Sequence, residues 1–357
     1  MAAALLAAVL FFPVNAQAIS AQSAILMDAQ TGRVLYEKNA DDRSLIASTT
    51  KIMTALVIVE QCNVLDRVRI PKEAVGIEGS SIYLKEGEVL TVQELLYGLM
   101  LHSGNDAATA LAIYCGGTVE GFAELMNEKA YRLGMKDSHF VNPSGLDAPG
   151  HYSTARDMAV LTAYAMENPI FLQTVSTKSV RVGQRYFTNH NKLLWRFEGA
   201  DGVKTGYTRA AGRILVSSAM RDGRRLVAVT INDGNDWQDH MHLLEGGFGQ
   251  YAVCAIIQKG DVLAQVEVVG GEDSTVELLA AEDFSYPLAA DEKPEILTSG
   301  AGFVFAPVEC GQSAGNAYVL LDSCTVGAIP MVYGQSVEKT QNKPTFWQKI
   351  FGGDPYG

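Results

Sequence analysis

The sequence predicts an α+β fold, an antiparallel sheet with helices packed against it, followed by a small all-β domain. Two patterns and one break predict it. Apolar runs of helical period fill the middle of the chain, and β-branched runs of strand period flank them. The character changes after Tyr251, where short alternating segments are separated by Gly, Asp and Pro. With 357 residues the chain exceeds one typical domain. Residues 19–251 are therefore read as the α+β domain and 252–337 as the β-rich domain.

Residues 1–18 read as a signal peptide. An apolar stretch over 5–14 has the length of a signal-peptide core, and Ala16-Gln17-Ala18 supplies a small-x-small cleavage pattern. The stretch is too short, and too broken by Pro13, to span a bilayer. No Lys or Arg precedes Arg33, so the usual basic start is missing. The expectation is cleavage after Ala18 and export.

A hairpin follows: Ala24-Ile25-Leu26-Met27, a Thr31-Gly32 turn, then Val34-Leu35-Tyr36. Residues 48–62 are helical in pattern and apolar almost all round, which predicts a buried central helix. Residues 91–114 read as helix, turn and helix, and 117–133 as an amphipathic helix. Ser153 or Thr154 caps the next helix. Two β-branched runs, 212–220 and 225–231, flank Arg221-Asp222-Gly223-Arg224, a hairpin signal, and 239–248 closes the domain as a helix. In the tail, 338–357, Phe346, Trp347, Ile350 and Phe351 share one helical face, with Lys343 and Lys349 alongside. That pattern predicts peripheral membrane contact through about two helical turns.

The net charge of −12, with no basic run and no glycine-rich phosphate loop, argues against a nucleic-acid partner. The five cysteines have no C-x-x-C spacing, so neither zinc nor a redox motif is indicated. Cys310 and Cys324 share the C-terminal region and could pair, but buried thiols are expected. His240 and His242, two apart, do not share a helix face, and no H-E-x-x-H occurs; no metal and no cofactor are expected.

Three short motifs carry the chemistry: Ser48-Thr49-Thr50-Lys51, Ser103-Gly104-Asn105 and Lys204-Thr205-Gly206. A serine hydroxyl is a poor nucleophile until a base takes its proton. Three residues on, Lys51 lies on the same helix face as Ser48, at the start of an apolar helix where desolvation favours the free amine. Ser103 can relay a proton to a leaving amine, and Asn105 can bind substrate backbone. Lys204 adds positive charge, Thr205 offers a hydroxyl to a carboxylate, and Gly206 lets a peptide approach the strand. Each motif alone fits a cap or a turn; S-x-x-K, S-x-N and K-T-G in this order mark penicillin-recognising serine enzymes.

On these motifs, and on Asn142-Pro143-Ser144-Gly145-Leu146, His151-Tyr152-Ser153-Thr154-Ala155-Arg156-Asp157 and Asp201-Gly202-Val203 before the lysine, the chain resembles the serine-type D-Ala-D-Ala carboxypeptidases of peptidase family S11, the low-molecular-mass penicillin-binding proteins. The resemblance implies a penicillin-binding/β-lactamase-like first domain. It implies peptidoglycan stem peptides ending in D-Ala-D-Ala as substrates and β-lactams as covalent ligands. It makes Ser48 the nucleophile, Lys51 the general base, and the backbone N–H groups of Ser48 and Tyr207 the oxyanion hole. One departure is Asn189-His190-Asn191, where some relatives carry Arg between the two Asn. A β-lactamase would need a Glu-x-x-x-Asn carboxylate between the second and third motifs. None of Glu120, Glu124, Glu128, Glu167 or Glu198 fits that pattern. A penicillin sensor would need a transmembrane segment and a cytoplasmic module, and neither is visible.

Overall fold

The structure is a computed structural model describing residues 19–300 and 302–340. The predicted signal segment and the apolar face of the tail lie outside the described residues. The chain forms two compact units, the first ending at Gly249 and the second beginning at Gln250.

In the first unit, β1 (Ser23–Asp28) and β2 (Val34–Lys38) form the predicted hairpin. A short pair, β3 (Arg67–Arg69) with β4 (Val89–Thr91), and another, β5 (Ser179–Val182) with β6 (Arg185–Thr188), lie outside the main sheet. β7 (Ala200–Thr208), β8 (Gly212–Arg221) and β9 (Arg224–Ile231) complete a five-stranded antiparallel sheet of order β2-β1-β9-β8-β7. β9 is buried at every position, which explains its continuous apolar run: a strand covered on both faces loses the alternation of a half-solvated one. Asp222 and Gly223, both at positive φ, make the two-residue turn between β8 and β9.

Eight α-helices pack in this unit among the described residues. α1 (Lys51–Gln61) has its first eight residues buried, as its all-round apolar pattern predicts. α2 (Val92–Leu101) starts with a Thr91–Glu94 capping box. Then come α3 (Asn105–Gly116), α4 (Val119–Arg132), α5 (Ala155–Met166) capped by Thr154, α6 (Pro169–Ser176), α7 (Leu193–Arg196) and α8 (Asp236–Gln250). One boundary differs from expectation. Ser48 belongs to a 3₁₀ turn, Ala47–Thr50, and the α-helix begins only at Lys51.

The second unit is all β: β10 (Tyr251–Ile257), β11 (Val262–Val269), β12 (Thr275–Ala280), β13 (Phe284–Ala289), β14 (Glu295–Ser299), β15 (Phe303–Phe305), β16 (Ser313–Leu321) and β17 (Cys324–Tyr333). β10 pairs with β13, and the rest form a six-stranded sheet of order β14-β16-β17-β12-β11-β15. It has cores of its own, such as Val268, Val276, Val308 and Val337. The expectation of buried thiols fails here: Cys310 and Cys324 are both exposed. Nor do they pair. Cys324 opens β17 just after a turn, whereas the Cys310 thiol sits on the carbonyl of Gly334, just beyond the other end of that ten-residue strand. Ten strand residues span about 30 Å, far beyond the reach of a disulfide.

Candidate active site

The site is built where the Ala47–Thr50 turn, the start of α3 and the edge strand β7 meet. Lys51 is fully buried, and its Nζ makes three contacts: Asn105 Oδ1 at 2.7 Å, the Ser144 carbonyl at 2.6 Å and Ser48 Oγ at 3.1 Å. The carbonyl can only accept. So can Asn105 Oδ1, because the other end of that amide donates to the Glu78 carbonyl at 2.6 Å, which fixes its orientation. A neutral amine has two hydrogens, and the two short bonds use both. Its lone pair is then left facing the Ser48 hydroxyl. Burial pushes the Lys51 pKa well down, the nearby Lys204 pushes the same way, and Asp106 opposes them. Geometry and electrostatics agree on a free amine beside Ser48.

Each partner of Lys51 is itself held. Asp106, buried behind Asn105, accepts from Ser81 Oγ at 2.6 Å and from the amides of Ile82 and Leu84 at 3.0 Å. These bonds tie the 80–84 loop to the start of α3, and Asn105 N donates to the Ser80 carbonyl at 2.7 Å. Asn142 Oδ1 accepts from the amides of Ser144 (3.1 Å) and Gly145 (2.8 Å), forming the turn that offers the Ser144 carbonyl to Lys51. Beside Lys51, Thr50 Oγ1 lies 2.8 Å from His151 Nε2. His151 Nδ1 accepts from Val141 N at 3.2 Å, so its proton sits on Nε2 and is donated to Thr50. Burial lowers the His151 pKa to about 4, which keeps that ring neutral.

β7 forms the opposite wall. A Cβ placed on Gly206 would come within 3.3 Å of Ser48 N and of Ala47 Cβ, so a side chain there would crowd the nucleophile. Lys204 is buried rather than part of the cleft lining, donates to the Thr205 carbonyl at 2.8 Å, and has its pKa lowered by burial to about 7. Its charge therefore acts from beneath the cleft. Ser103 holds a left-handed backbone, φ 64°, between α2 and α3, and it lines the cleft with Ser48. Asn105 does not reach the lining; both ends of its amide are taken up by Lys51 and Glu78.

The cleft has a volume of about 330 Å³ and is lined by Ser48, Ser103, Thr205, Gly206 and Tyr207, with His190, Lys192, Arg213 and Trp237 also at the wall. Asn189 and Asn191 act as hooks. Asn189 Nδ2 bonds the Val175 and Thr177 carbonyls, and Asn191 Nδ2 bonds Gly202 O at 2.6 Å, which presents His190 to the cleft. Burial, Lys204 and His102 all lower the His190 pKa. Arg213, opposite Tyr207 in the β7–β8 register, donates through Nη2 to both oxygens of Asp236 at 2.7 Å.

Sequence reading missed Asp106, Ser144, Arg213 and Asp236. Only Asp106 left a local signal: an acid directly after Ser-Gly-Asn at the head of an apolar helix. The others act across more than 20 residues of chain and carry no spacing signature.

A serine 3.1 Å from a buried lysine whose pKa burial lowers, at the foot of a cleft walled by an edge strand, is an arrangement suited to serine acyl transfer. Residues 11–235 match the sequence profile of Peptidase S11, D-alanyl-D-alanine carboxypeptidase, and residues 251–339 match that of the penicillin-binding protein 5 C-terminal domain. The chain belongs to the S11 family of D-alanyl-D-alanine carboxypeptidases. It is 33% identical over 337 residues to the D-alanyl-D-alanine carboxypeptidase DacF of Bacillus subtilis, covering 89% of this chain and 86% of that one. Among solved structures it is similar to penicillin-binding protein 5 of Haemophilus influenzae, with TM-score 0.77 and 29% identity over 90% of this chain and 98% of that one. It also resembles a mutant form of the Streptomyces K15 DD-transpeptidase, with TM-score 0.63 and 34% identity. That match takes in 65% of this chain and 98% of the other.

Proposed function

We propose that Ser48 is acylated by peptidoglycan stem peptides ending in D-Ala-D-Ala, releasing the terminal D-Ala, and that β-lactams acylate the same oxygen. The observation that carries this reading is the buried Lys51 Nζ, 3.1 Å from Ser48 Oγ and held by two acceptor-only partners that can take both hydrogens of a neutral amine. Lys51 takes the Ser48 proton as Oγ bonds to the carbonyl carbon of the penultimate residue. The developing oxyanion is received by the N–H groups of Ser48 and Tyr207. The C–N bond then breaks, and the proton passes through Ser103 to the departing amine. Water, deprotonated by Lys51, attacks the ester and frees Ser48.

Thr205 and Arg213 hold the terminal carboxylate. Arg213 supplies the cationic donors that the buried, half-titrated Lys204 does not expose, and Asp236 fixes its direction. Gly206 lets the substrate backbone lie along β7. The apolar segment over 5–14 with Ala16-Gln17-Ala18 supports export, and the tail pattern supports peripheral membrane attachment. Among the described residues no helix is long and apolar enough to cross a membrane.

The test is mass spectrometry of the intact protein after benzylpenicillin, together with D-Ala release from a peptide acid and its C-terminal amide. One acyl group should map to the Ser48 peptide and vanish in Ser48→Ala. The acid should be cleaved at least about tenfold faster than the amide, since one unpaired buried group is worth roughly 1–3 kcal/mol. Arg213→Gln should narrow that ratio while leaving acylation site and fold intact. Equal rates on acid and amide would contradict the carboxypeptidase reading even with Ser48 labelled.

A further inference from the structure

The far ends of α1 and α3 carry a pair of thiols that acyl transfer does not use. The two helices start together: Lys51 opens α1, Asn105 opens α3, and 2.7 Å separates Lys51 Nζ from Asn105 Oδ1. They have nearly equal lengths, 11 and 12 residues, or about 16–18 Å at 1.5 Å per residue. They also pack against each other. Their far ends are tied as well: Tyr114, next to Cys115, donates its hydroxyl to Asp66 Oδ2 at 2.9 Å, four residues beyond Cys62. There Cys62, the C-cap of α1, neighbours Cys115, in the last turn of α3, and both pack against the same core. Both residues are half-buried at the edge of the main core, so a small reagent can reach them.

The contact polarises the pair. The Cys62 S–H donates to the Cys115 sulfur, which lowers the pKa of Cys115 and raises that of Cys62; Asp66 adds to the rise. The thiolate is the reactive form, so Cys115 is the attacking sulfur and Cys62 the resolving one.

We propose that Cys62 and Cys115 form a reversible disulfide that staples α1 to α3 at the end opposite the active site. The oxidant is a disulfide-bearing compound, RS–SR. The Cys115 thiolate attacks one of its sulfurs, an S–S bond forms to Cys115, and RS⁻ leaves. Cys62 then loses its proton and attacks Cys115 Sγ, and a second RS⁻ leaves. Two protein thiols are oxidised and one RS–SR is reduced to two RSH. The bond joins residues 53 apart in the chain, a long loop whose closure restricts the unfolded state. The staple ties together the far ends of the two helices that open with Lys51 and Asn105.

The experiment exposes the full chain to glutathione disulfide, alkylates what remains, and maps each cysteine by peptide mass spectrometry. A cross-linked 62–115 peptide pair should form and should open again with dithiothreitol. The Tm of the oxidised protein should exceed that of the reduced protein by at least about 5 °C, a rise absent in Cys62→Ser. In Cys62→Ser, Cys115 should stop at the mixed disulfide with glutathione. Alkylatable Cys62 and Cys115 after oxidation of the parent protein, or a cross-link to another cysteine, would overturn the proposal. An unmodified Cys115 in folded Cys62→Ser would overturn the order of attack.

Discussion

Lys51 and Lys204 are both buried, and burial drives both toward the neutral amine, but they do different work. Lys51 touches Ser48; Lys204 touches the backbone of its own strand and acts on Lys51 through space. Lys51→Arg keeps the positive charge but cannot serve as a base, because guanidinium stays protonated. Its acylation by benzylpenicillin should fall by at least the roughly 10²–10⁴-fold attached to a general base. Near-normal acylation in that variant would give the role to another group. The pH profile tests the second lysine. Protonating Lys51 removes the lone pair, so acylation falls as pH drops through its pKa. A charged Lys204 depresses that pKa. Lys204→Met should therefore move the acid limb of the acylation profile to higher pH, because Lys51 then holds its proton more tightly. A limb that stays in place, or moves lower, would show that burial alone sets Lys51.

At the scale of elements, the sequence pattern announced a central helix but not where its first turn changes character. Residues 48–62 are apolar almost all round, and periodicity of that kind cannot distinguish a 3₁₀ entry from an α-helical one. The 142–146 turn lies directly against that first turn. Gly145 sits at φ 82°, and a Cβ there would collide with the Ala47 carbonyl oxygen, inside the turn that carries Ser48. Gly150 has the same φ, yet its nearest neighbour to a built Cβ is 3.8 Å away. The pair separates backbone strain from collision. Gly150→Ala should cost only the left-handed penalty of about 1–2 kcal/mol. Gly145→Ala should cost more than about 3 kcal/mol by denaturant unfolding, and its folded fraction should be acylated more slowly. Equal costs at the two sites would mean that the Ala47 turn yields freely and does not depend on Gly145.

At the scale of the whole molecule, what could be read from the sequence followed the range of each interaction. The motifs are local, so the cleft-lining Ser48, Ser103, Thr205, Gly206 and Tyr207 could be singled out as candidates, and the hairpins and the buried helix could be read as well. The bond from Lys51 to Ser144 spans 93 residues, and no spacing within one motif encodes it. Asp106 left a local signal after Ser-Gly-Asn, but its partners lie 22 to 25 residues upstream, so its role in holding the 80–84 loop was not encoded there. Arg213 was hidden because the residue that makes it useful, Asp236, belongs to another element. These long-range ties all fall inside the first unit. The main core cluster runs from Ile25 to Ile231, and the cleft lining runs from Ser48 to Trp237. The β strands after Gln250 pack on cores of their own, such as Val268 with Val337 and Ile257 with Ile329. A chain of residues 19–249 should accordingly fold and keep the Lys51–Ser48 pair. Its second-order rate of acylation by benzylpenicillin should lie within about tenfold of the full chain, a difference of under ~1.4 kcal/mol in the barrier. Near-ultraviolet circular dichroism reports whether side-chain packing survives the truncation. A shortened protein that packs natively but resists acylation would show that the β-rich unit completes the site. One that reacts normally would leave that unit free for a task other than chemistry.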